Sequence, residues 1–375
     1  MRIQIFMCGE GLGHTSRCMA VGEKLIEKGY EVSFHAYGAS MEHLRANGFE
    51  NVEEIPSEIK LVGRAGSLDL NRSVGESLKQ LHPLGLARVY RQVKKAKPDV
   101  IISDTYFSAL IVARHHRIPS LLITNQTNTF KFFENRGLKL ELVGKVIKSI
   151  MNATHSMVNY ILIPDFPPPF TICKLNLDFS EEYEERIIFT GPLIRKFPSQ
   201  IEGVELKHPH ILCLIGGFNY RRKLLENIIT LGRAMQGFYF TFITGLSFKT
   251  LSEENSNIKI LSPLPDIFSY LKVSDLIIAP GGHSTMMEAL SYGVPMIIFP
   301  DMNHGEQENN ARRIEELKLG RYLSYHTPPE MVKDVVENLL GDMEVKRQCK
   351  RMANYAEKLN GVSKVVEIVE DISKR

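Results

Sequence analysis

Twice in this chain a short run of β-forming residues empties into glycines and then into a helix-forming stretch, and that repetition constrains the fold more than any other feature. The first copy covers residues 3–8, meets Gly9-Glu10-Gly11-Leu12-Gly13-His14, and continues as a helical pattern over 15–28 with Met19, Ala20, Leu25 and Ile26 on one face. The second covers 211–215, meets Gly216-Gly217-Phe218-Asn219, and continues as a helical pattern over 222–235. Between and after them the alternation persists. Short apolar runs at 100–102, 120–124 and 160–163 serve the first half, and runs at 238–243, 258–261, 276–279 and 296–299 serve the second. Strands alternating with helices imply parallel sheets covered by helices, so the chain is read as two doubly wound α/β units in tandem. A length of 375 residues suits two such units. The expected division is 1–195 for the first unit, 196–209 for a linker punctuated by Pro, Ser and Gly, and 210–345 for the second. The charged helical stretch 346–375 is expected to pack back toward the first unit.

Charge and cysteine content narrow the function classes. The net charge is only +3, but residues 60–148 hold 16 Lys and Arg against 6 Asp and Glu. Either this is a solvated basic face, or it attracts an anionic partner such as a phospholipid surface. Nucleic acid is not expected, because the basic residues are scattered through helices and strands without a recognisable binding module. Five cysteines with no CxxC pair fit reduced thiols and a cytoplasmic protein rather than a disulfide framework or a zinc site. No apolar run approaches the roughly 18 residues that a membrane-spanning helix needs.

The glycines at 9, 11 and 13 suit a turn that brings backbone N–H groups to an anion at a helix start, or simply a tight capping turn. A dinucleotide fingerprint would want glycine at position 14, where this chain has His14. It would also want an acid at the end of the second strand, which reads His35-Ala36-Tyr37-Gly38. A nicotinamide-dependent dehydrogenase is therefore disfavoured. His14 falls at the C-terminal end of the first strand, the edge at which open α/β sheets bind ligands. An imidazole there is either a structural residue or a group that takes a proton from a hydroxyl. Asp104 ends another strand, and either caps a helix or orients that imidazole.

The strongest motif is Pro280-Gly281-Gly282-His283-Ser284-Thr285, continuing to Glu288. A strand runs into two glycines and then into hydroxyl residues at a helix start, where free N–H groups and the positive dipole end suit a diphosphate. Glu288, one turn further on the same face as Ser284, is placed to accept both hydroxyls of a ribose. The polar loop from Pro300 to Asn310 follows the next strand and includes Glu306, Gln307 and Asn310, residues able to hydrogen-bond sugar hydroxyls. There is no D-x-D and no G-x-x-x-x-G-K-[ST], so charge on a leaving diphosphate must be met by helix dipoles and side chains.

Gly-Gly-His-Ser-Thr-x-x-Glu-Ala, with Glu306-Gln307 and Asn310-Ala311, resembles glycosyltransferase family 28, which includes bacterial MurG and the plant monogalactosyldiacylglycerol synthases. The resemblance extends over the glycine loop ending in His14, the Asn125-Gln126 turn and Gly191-Pro192. It implies a GT-B fold, two Rossmann-like domains facing a central cleft. It also implies an inverting, metal-independent transferase, with no cofactor, that moves a hexose or N-acetylhexosamine from a UDP-sugar to a hydroxyl acceptor such as a lipid or lipid-linked glycan. Carried over, Glu288 holds the ribose, Ser284 and Thr285 with Gly282 lie at the diphosphate, Gly281 and His283 belong to the same donor side, Gln307 touches the donor sugar, and Leu264 and Pro265 border the uracil. Glu306, Asn310, Gly216 and Gly217 complete the donor side, although Gly216-Gly217-Phe218-Asn219-Tyr220 departs from the family's usual glycine loop. His14 and Asp104 are the catalytic candidates, and Gly11, Gly13, Arg17, Asn125 and Gln126 the acceptor-side ones. Two rivals stand beside this reading: a UDP-N-acetylglucosamine 2-epimerase of the same fold, and a non-catalytic UDP-sugar-binding protein.

Overall fold

Runs such as Val100-Ile101-Ile102 and Leu276-Ile277-Ile278 are apolar on both faces, the signature of strands covered by helices on either side, and they are fully buried. A computed structural model describes residues 1–80, 82–134, 136–178, 181–215, 217–245, 248, 253–254 and 256–374. Its strands, in chain order, are β1 (Arg2–Met7), β2 (Glu31–Ala36), β3 (Val52–Glu54), β4 (Gly63–Arg64), β5 (Ser67–Leu68), β6 (Val100–Asp104), β7 (Ser120–Ile123), β8 (Tyr160–Ile163) and β9 (Ile187–Phe189), then β10 (His210–Cys213), β11 (Tyr239–Ile243), β12 (Glu253–Glu254), β13 (Ile258–Leu261), β14 (Leu276–Ala279), β15 (Met296–Ile298) and β16 (Gly320–Tyr322).

The first sheet has the order β3-β2-β1-β6-β7-β8-β9, with every pairing parallel. The second has the order β12-β13-β11-β10-β14-β15-β16, parallel except for the two-residue edge β12. In each sheet the strand order reverses beside its first strand, between β1 and β6 and between β10 and β14. Loops leaving the C-terminal ends of those neighbours diverge to opposite faces and open a crevice.

Two compact units result: residues 1–61, 70–195 and 359–375 form one, and 62–69 with 196–358 the other. This differs from the division expected from sequence in three places. Residues 62–69 leave the first unit because the β4–β5 hairpin bonds to the second: the Leu68 N–H donates to the Met302 carbonyl at 2.9 Å, and the Gly66 N–H to the Tyr220 carbonyl at 2.7 Å. The expected linker belongs to the second unit, where the Tyr292 hydroxyl donates to the Lys196 carbonyl at 2.8 Å. The terminal stretch is two helices, Met343–Leu359 and Gly361–Ile372, parted by Asn360 at φ 45°. The second of them places Val365, Val366, Val369 and Ile372 in the same core as Met19, Val21 and Leu25 of the first unit.

All five cysteines are free and buried. Burial also acts on three of the buried histidines: it pushes His35 down to about 3 from 6.5, and His155 and His210 down to about 4. The His35 ring stacks on Phe6, with centroids 4.3 Å apart. Between pH 6.5 and 4 the unfolded chain therefore binds protons that the native state refuses, so stability falls as pH is lowered through that window. His35 by itself accounts for about 2–3 kcal/mol by pH ~4.5. Thermal unfolding followed from pH 7 to 4.5 is expected to show this slope, and His35→Phe to flatten it; parallel slopes in the two proteins would contradict the assignment.

Candidate functional site

In the first unit β1 and β6 lie side by side with Met7 opposite Asp104, and the Cys8 N–H donates to the Asp104 carbonyl at 3.0 Å. The loop after β1 and the side chain of Asp104 thus emerge at one edge, at the switch point of the sheet. That loop passes tightly against the end of β2: a Cβ on Gly9 would collide with the Tyr37 carbonyl oxygen. Gly11, at φ +85°, precedes the helix Leu12–Glu27, which starts early enough to include Gly13 and His14 in its first turn. Three residues separate His14 from Arg17, so both side chains share a face.

Both meet Asp104. His14 Nδ1 is 2.7 Å from Asp104 Oδ1; Arg17 Nη2 is 2.6 Å from the same oxygen, and Arg17 Nε donates to Oδ2. Arg17 Nη1 donates to Asn125 Oδ1 at 3.2 Å. Asp104 and Arg17 are buried, whereas the His14 side chain keeps 23% of its surface exposed. Burial alone would raise the Asp104 carboxyl. The charges and hydrogen bonds of Arg17 and His14 outweigh it and hold the group well below the usual carboxylate range, so it stays ionised.

The carboxylate also decides the imidazole tautomer. Arg17 Nη2 lies 2.9 Å from His14 Nδ1 as well, but an unprotonated Nδ1 would set its lone pair against the anionic Asp104 oxygen 2.7 Å away. A ring N–H facing an anionic oxygen is a charge-assisted bond, so Nδ1 carries the proton and Nε2 holds the lone pair. Among the described residues Nε2 has no hydrogen-bond partner. The arrangement can take a proton from a hydroxyl and steady the resulting imidazolium. Arg17 and Asn125, expected on the acceptor side, belong to this buried cluster. Gln126 does not: its N–H donates to Thr124 Oγ1 at 3.2 Å in a separate turn.

In the second unit β14 ends at Ala279, and Gly281, at φ 96°, turns the chain. A Cβ on Gly281 would stand 3.0 Å from Ile298 Cγ2 of the neighbouring strand, so the turn needs glycine for both space and conformation. Gly282 caps the helix His283–Ser291 without a side-chain capping bond. Ser284 and Thr285 are half-buried in its first turn; His283 and Glu288 are buried. Asn310 Nδ2, on the helix Gly305–Glu316, reaches the Gly281 carbonyl and Glu306 Oε1 at 3.5 Å each, which brings Asn310 and Glu306 beside the glycine turn. Leu264 is half-buried and Pro265 exposed in the loop after β13. Gly217, at φ 102°, follows β10; Gly216 lies outside the described residues.

Gln307 is held inward. Its Oε1 accepts from the Asp301 N–H at 2.9 Å and its Nε2 donates to Asp301 Oδ2 at 3.2 Å. Asp301 is the centre of a cluster that sequence reading passed over. The Arg221 guanidinium donates to both its oxygens, Tyr220 Oη to Oδ2 at 3.1 Å, and Tyr325 Oη to Oδ1 at 2.7 Å. Burial raises the Asp301 carboxyl, but Arg221 overrides this and lowers it. The hairpin bonds here too: Asn303 Nδ2 donates to Ser67 Oγ at 2.8 Å, and the Met302 N–H to the Gly66 carbonyl at 2.8 Å. The one sequence signal was positional: Arg221 follows the second glycine loop and Asp301 sits just past β15, so both lie beyond strand ends on one edge of the sheet.

Comparison with known proteins matches residues 229–368 to the glycosyltransferase family 28 C-terminal domain and residues 1–174 to glycosyl transferase family 1. An uncharacterized glycosyltransferase of Methanosarcina mazei is 44% identical over 99% of this chain and 98% of its own length. The UDP-N-acetylglucosamine--N-acetylmuramyl-(pentapeptide) pyrophosphoryl-undecaprenol N-acetylglucosamine transferase of Acetivibrio thermocellus is 24% identical over 99% of both chains. Among solved structures, CalG4, the calicheamicin glycosyltransferase, superimposes with a TM-score of 0.74 at 18% identity, covering 100% of this chain and 99% of that one.

Proposed function

This chain belongs to the glycosyltransferases, with a family 28 C-terminal domain on a GT-B fold, and from that premise we propose that it moves a hexose or N-acetylhexosamine from a UDP-sugar to a hydroxyl acceptor, with inversion and without a metal ion. The observation that carries the reading is the His14–Asp104 couple, 2.7 Å long, at the switch point of the first sheet. In the reaction Nε2 of His14 takes the acceptor proton as the acceptor oxygen attacks the anomeric carbon. The bond from that carbon to the diphosphate oxygen breaks, and UDP departs with the electron pair. The Nδ1–H stays with Asp104, whose charge stabilises the imidazolium. A single displacement inverts the anomeric centre. Arg17 acts through Asp104 and is a positioning residue.

The leaving diphosphate is assigned to the amides and hydroxyls of the turn Gly281–Thr285, where the helix dipole favours negative charge. The ribose is assigned to Glu288, one turn deeper and buried. Five buried free thiols accord with a reducing cytoplasm as the place of work. The acceptor class includes lipids and lipid-linked glycans.

Titration calorimetry with UDP tests the donor half. Wild type is expected to bind, and Glu288→Ala to bind at least about tenfold more weakly, since a hydrogen bond to a charged group contributes about 1.5–3 kcal/mol. Equal affinity for the two proteins would remove Glu288 from the site; no uptake by wild type would remove UDP as the donor nucleotide.

A further inference from the structure

The hairpin β4–β5 comes from the N-terminal half of the sequence, yet it is built into the second unit. Its strands hold two residues each and turn through Ala65-Gly66, at φ 50° and 80°, the hand that a two-residue hairpin loop prefers. So short a hairpin does not persist in water without a surface to rest on. Its surface is the loop that follows β15. Ser67 pairs with Met302 in a parallel bridge, flanked by the backbone bonds between Leu68, Met302 and Gly66 described above. Ser67 Oγ accepts from Asn303 Nδ2 at 2.8 Å and donates to the Met302 carbonyl at 3.3 Å. A Cβ on Gly63 would collide with the Tyr220 ring, and one on Gly66 would stand 2.6 Å from the Tyr325 ring.

Those two rings lead inward. Both hydroxyls donate to Asp301, whose own N–H and carboxylate hold the two ends of the Gln307 amide. This fixes which end is which. A flipped amide would set N–H against N–H and an oxygen lone pair against the carboxylate, so Oε1 must face the Asp301 N–H and Nε2 the anion. One Nε2 hydrogen is left over. The same residue lies against the glycine turn: a Cβ on Gly281 would stand 3.4 Å from both Gln307 Cβ and the Gln307 carbonyl oxygen. A continuous set of contacts therefore runs from the hairpin, through Tyr220, Tyr325 and Asp301, to an N–H donor beside the turn assigned to the diphosphate.

Resting on the transferase reading above, we propose that this hairpin is a donor-side element. It presets the loop 301–304 and, through Asp301, the Gln307 amide, whose remaining Nε2–H meets an oxygen of the transferred sugar. Gly66 and Ser67 act through the loop and are positioning residues. Recognition of the sugar, as distinct from UDP, thus depends on a segment from the N-terminal half of the sequence. The ribose and diphosphate are assigned to Gly281–Glu288, so loosening the hairpin spares the nucleotide and costs only the sugar.

The test is titration calorimetry of the full chain with UDP and with UDP-glucose, UDP-galactose and UDP-N-acetylglucosamine. Wild type is expected to bind UDP and at least one of the three sugars. Ser67→Ala removes the Asn303 contact, and Gly66→Ala drives a methyl into the Tyr325 ring. Each is expected to weaken that UDP-sugar by about fivefold, the size of one ordinary hydrogen bond, and to leave UDP within about twofold of wild type. Gln307→Ala is expected to show the same split, and Ser67→Ala added to it to cost nothing more, because both act on one contact. A hairpin that only completed the fold would weaken UDP and UDP-sugar together, and its loss would add to that of Gln307→Ala. Should Gly66→Ala fail to fold, Ser67→Ala decides. Wild type that takes up no UDP refutes the transferase reading and this inference with it. Wild type that binds UDP, beside a folded Ser67→Ala with no selective loss of the UDP-sugar or with additive losses, overturns the role of the hairpin alone.

Discussion

His14→Ala is expected to lower glycosyl transfer by about 10²–10⁴-fold, the usual contribution of a positioned general base, while UDP affinity stays within about twofold of wild type. The two readouts separate because the histidine lies in the first unit and the residues assigned to the nucleotide lie in the second. Asp104→Asn is expected to fall as far by another route. An amide in place of the carboxylate can donate to Nδ1, which favours the tautomer with the proton on Nε2, where it no longer accepts from a hydroxyl. It also leaves the buried Arg17 guanidinium without its anion, so this variant loses stability, whereas His14→Ala, at a partly exposed position, does not. Transfer from radiolabelled UDP-sugars into a lipid extract, beside nucleotide calorimetry on the same preparations, measures both quantities. Equal transfer by His14→Ala and wild type would take the imidazole out of the mechanism.

The largest stability effect is expected at Asp301. It is fully buried and accepts from Arg221, Tyr220, Tyr325 and Gln307. Asp301→Asn preserves shape but leaves the Arg221 guanidinium buried and unneutralised, a loss of about 3–5 kcal/mol. For a unit of this size that amounts to a fall on the order of 10 °C in the unfolding temperature. The penalty should be specific to the broken pair. Replacing both partners with apolar residues of similar volume, Arg221→Met with Asp301→Leu, is expected to recover part of it, because no buried charge is then left over. Differential scanning calorimetry on the three proteins settles the matter; an Asp301→Asn transition within about a degree of wild type would show that the pair contributes nothing.

Why one of these clusters was legible in the sequence and the other was not has a physical reason. His14 and Asp104 could be paired on paper because each sits at the end of a strand, and parallel strands deliver their C-terminal ends to one edge. Gly281 to Glu288 was legible because a strand, a glycine turn and a helix start are all local: backbone conformation and hydrogen-bond periodicity over a dozen residues specify them. Arg17 was assigned to the acceptor side and proved to be buried under Asp104, because a spacing of three names the face of a helix but not what packs on it. Gln307 was expected at the donor sugar, and nothing in the sequence signalled that its amide is held by Asp301.

The sequence by itself therefore determined the elements, the tandem doubly wound architecture and the positions of the glycine turns. The tertiary structure alone decided that residues 62–69 complete the second unit, that Arg221 and Asp301 meet, and that one side of the helix Leu138–Met157 stays bare. The first group rests on interactions within a few residues of chain. The second rests on strand register and on competition for burial among groups far apart along it, and neither leaves a local periodic trace.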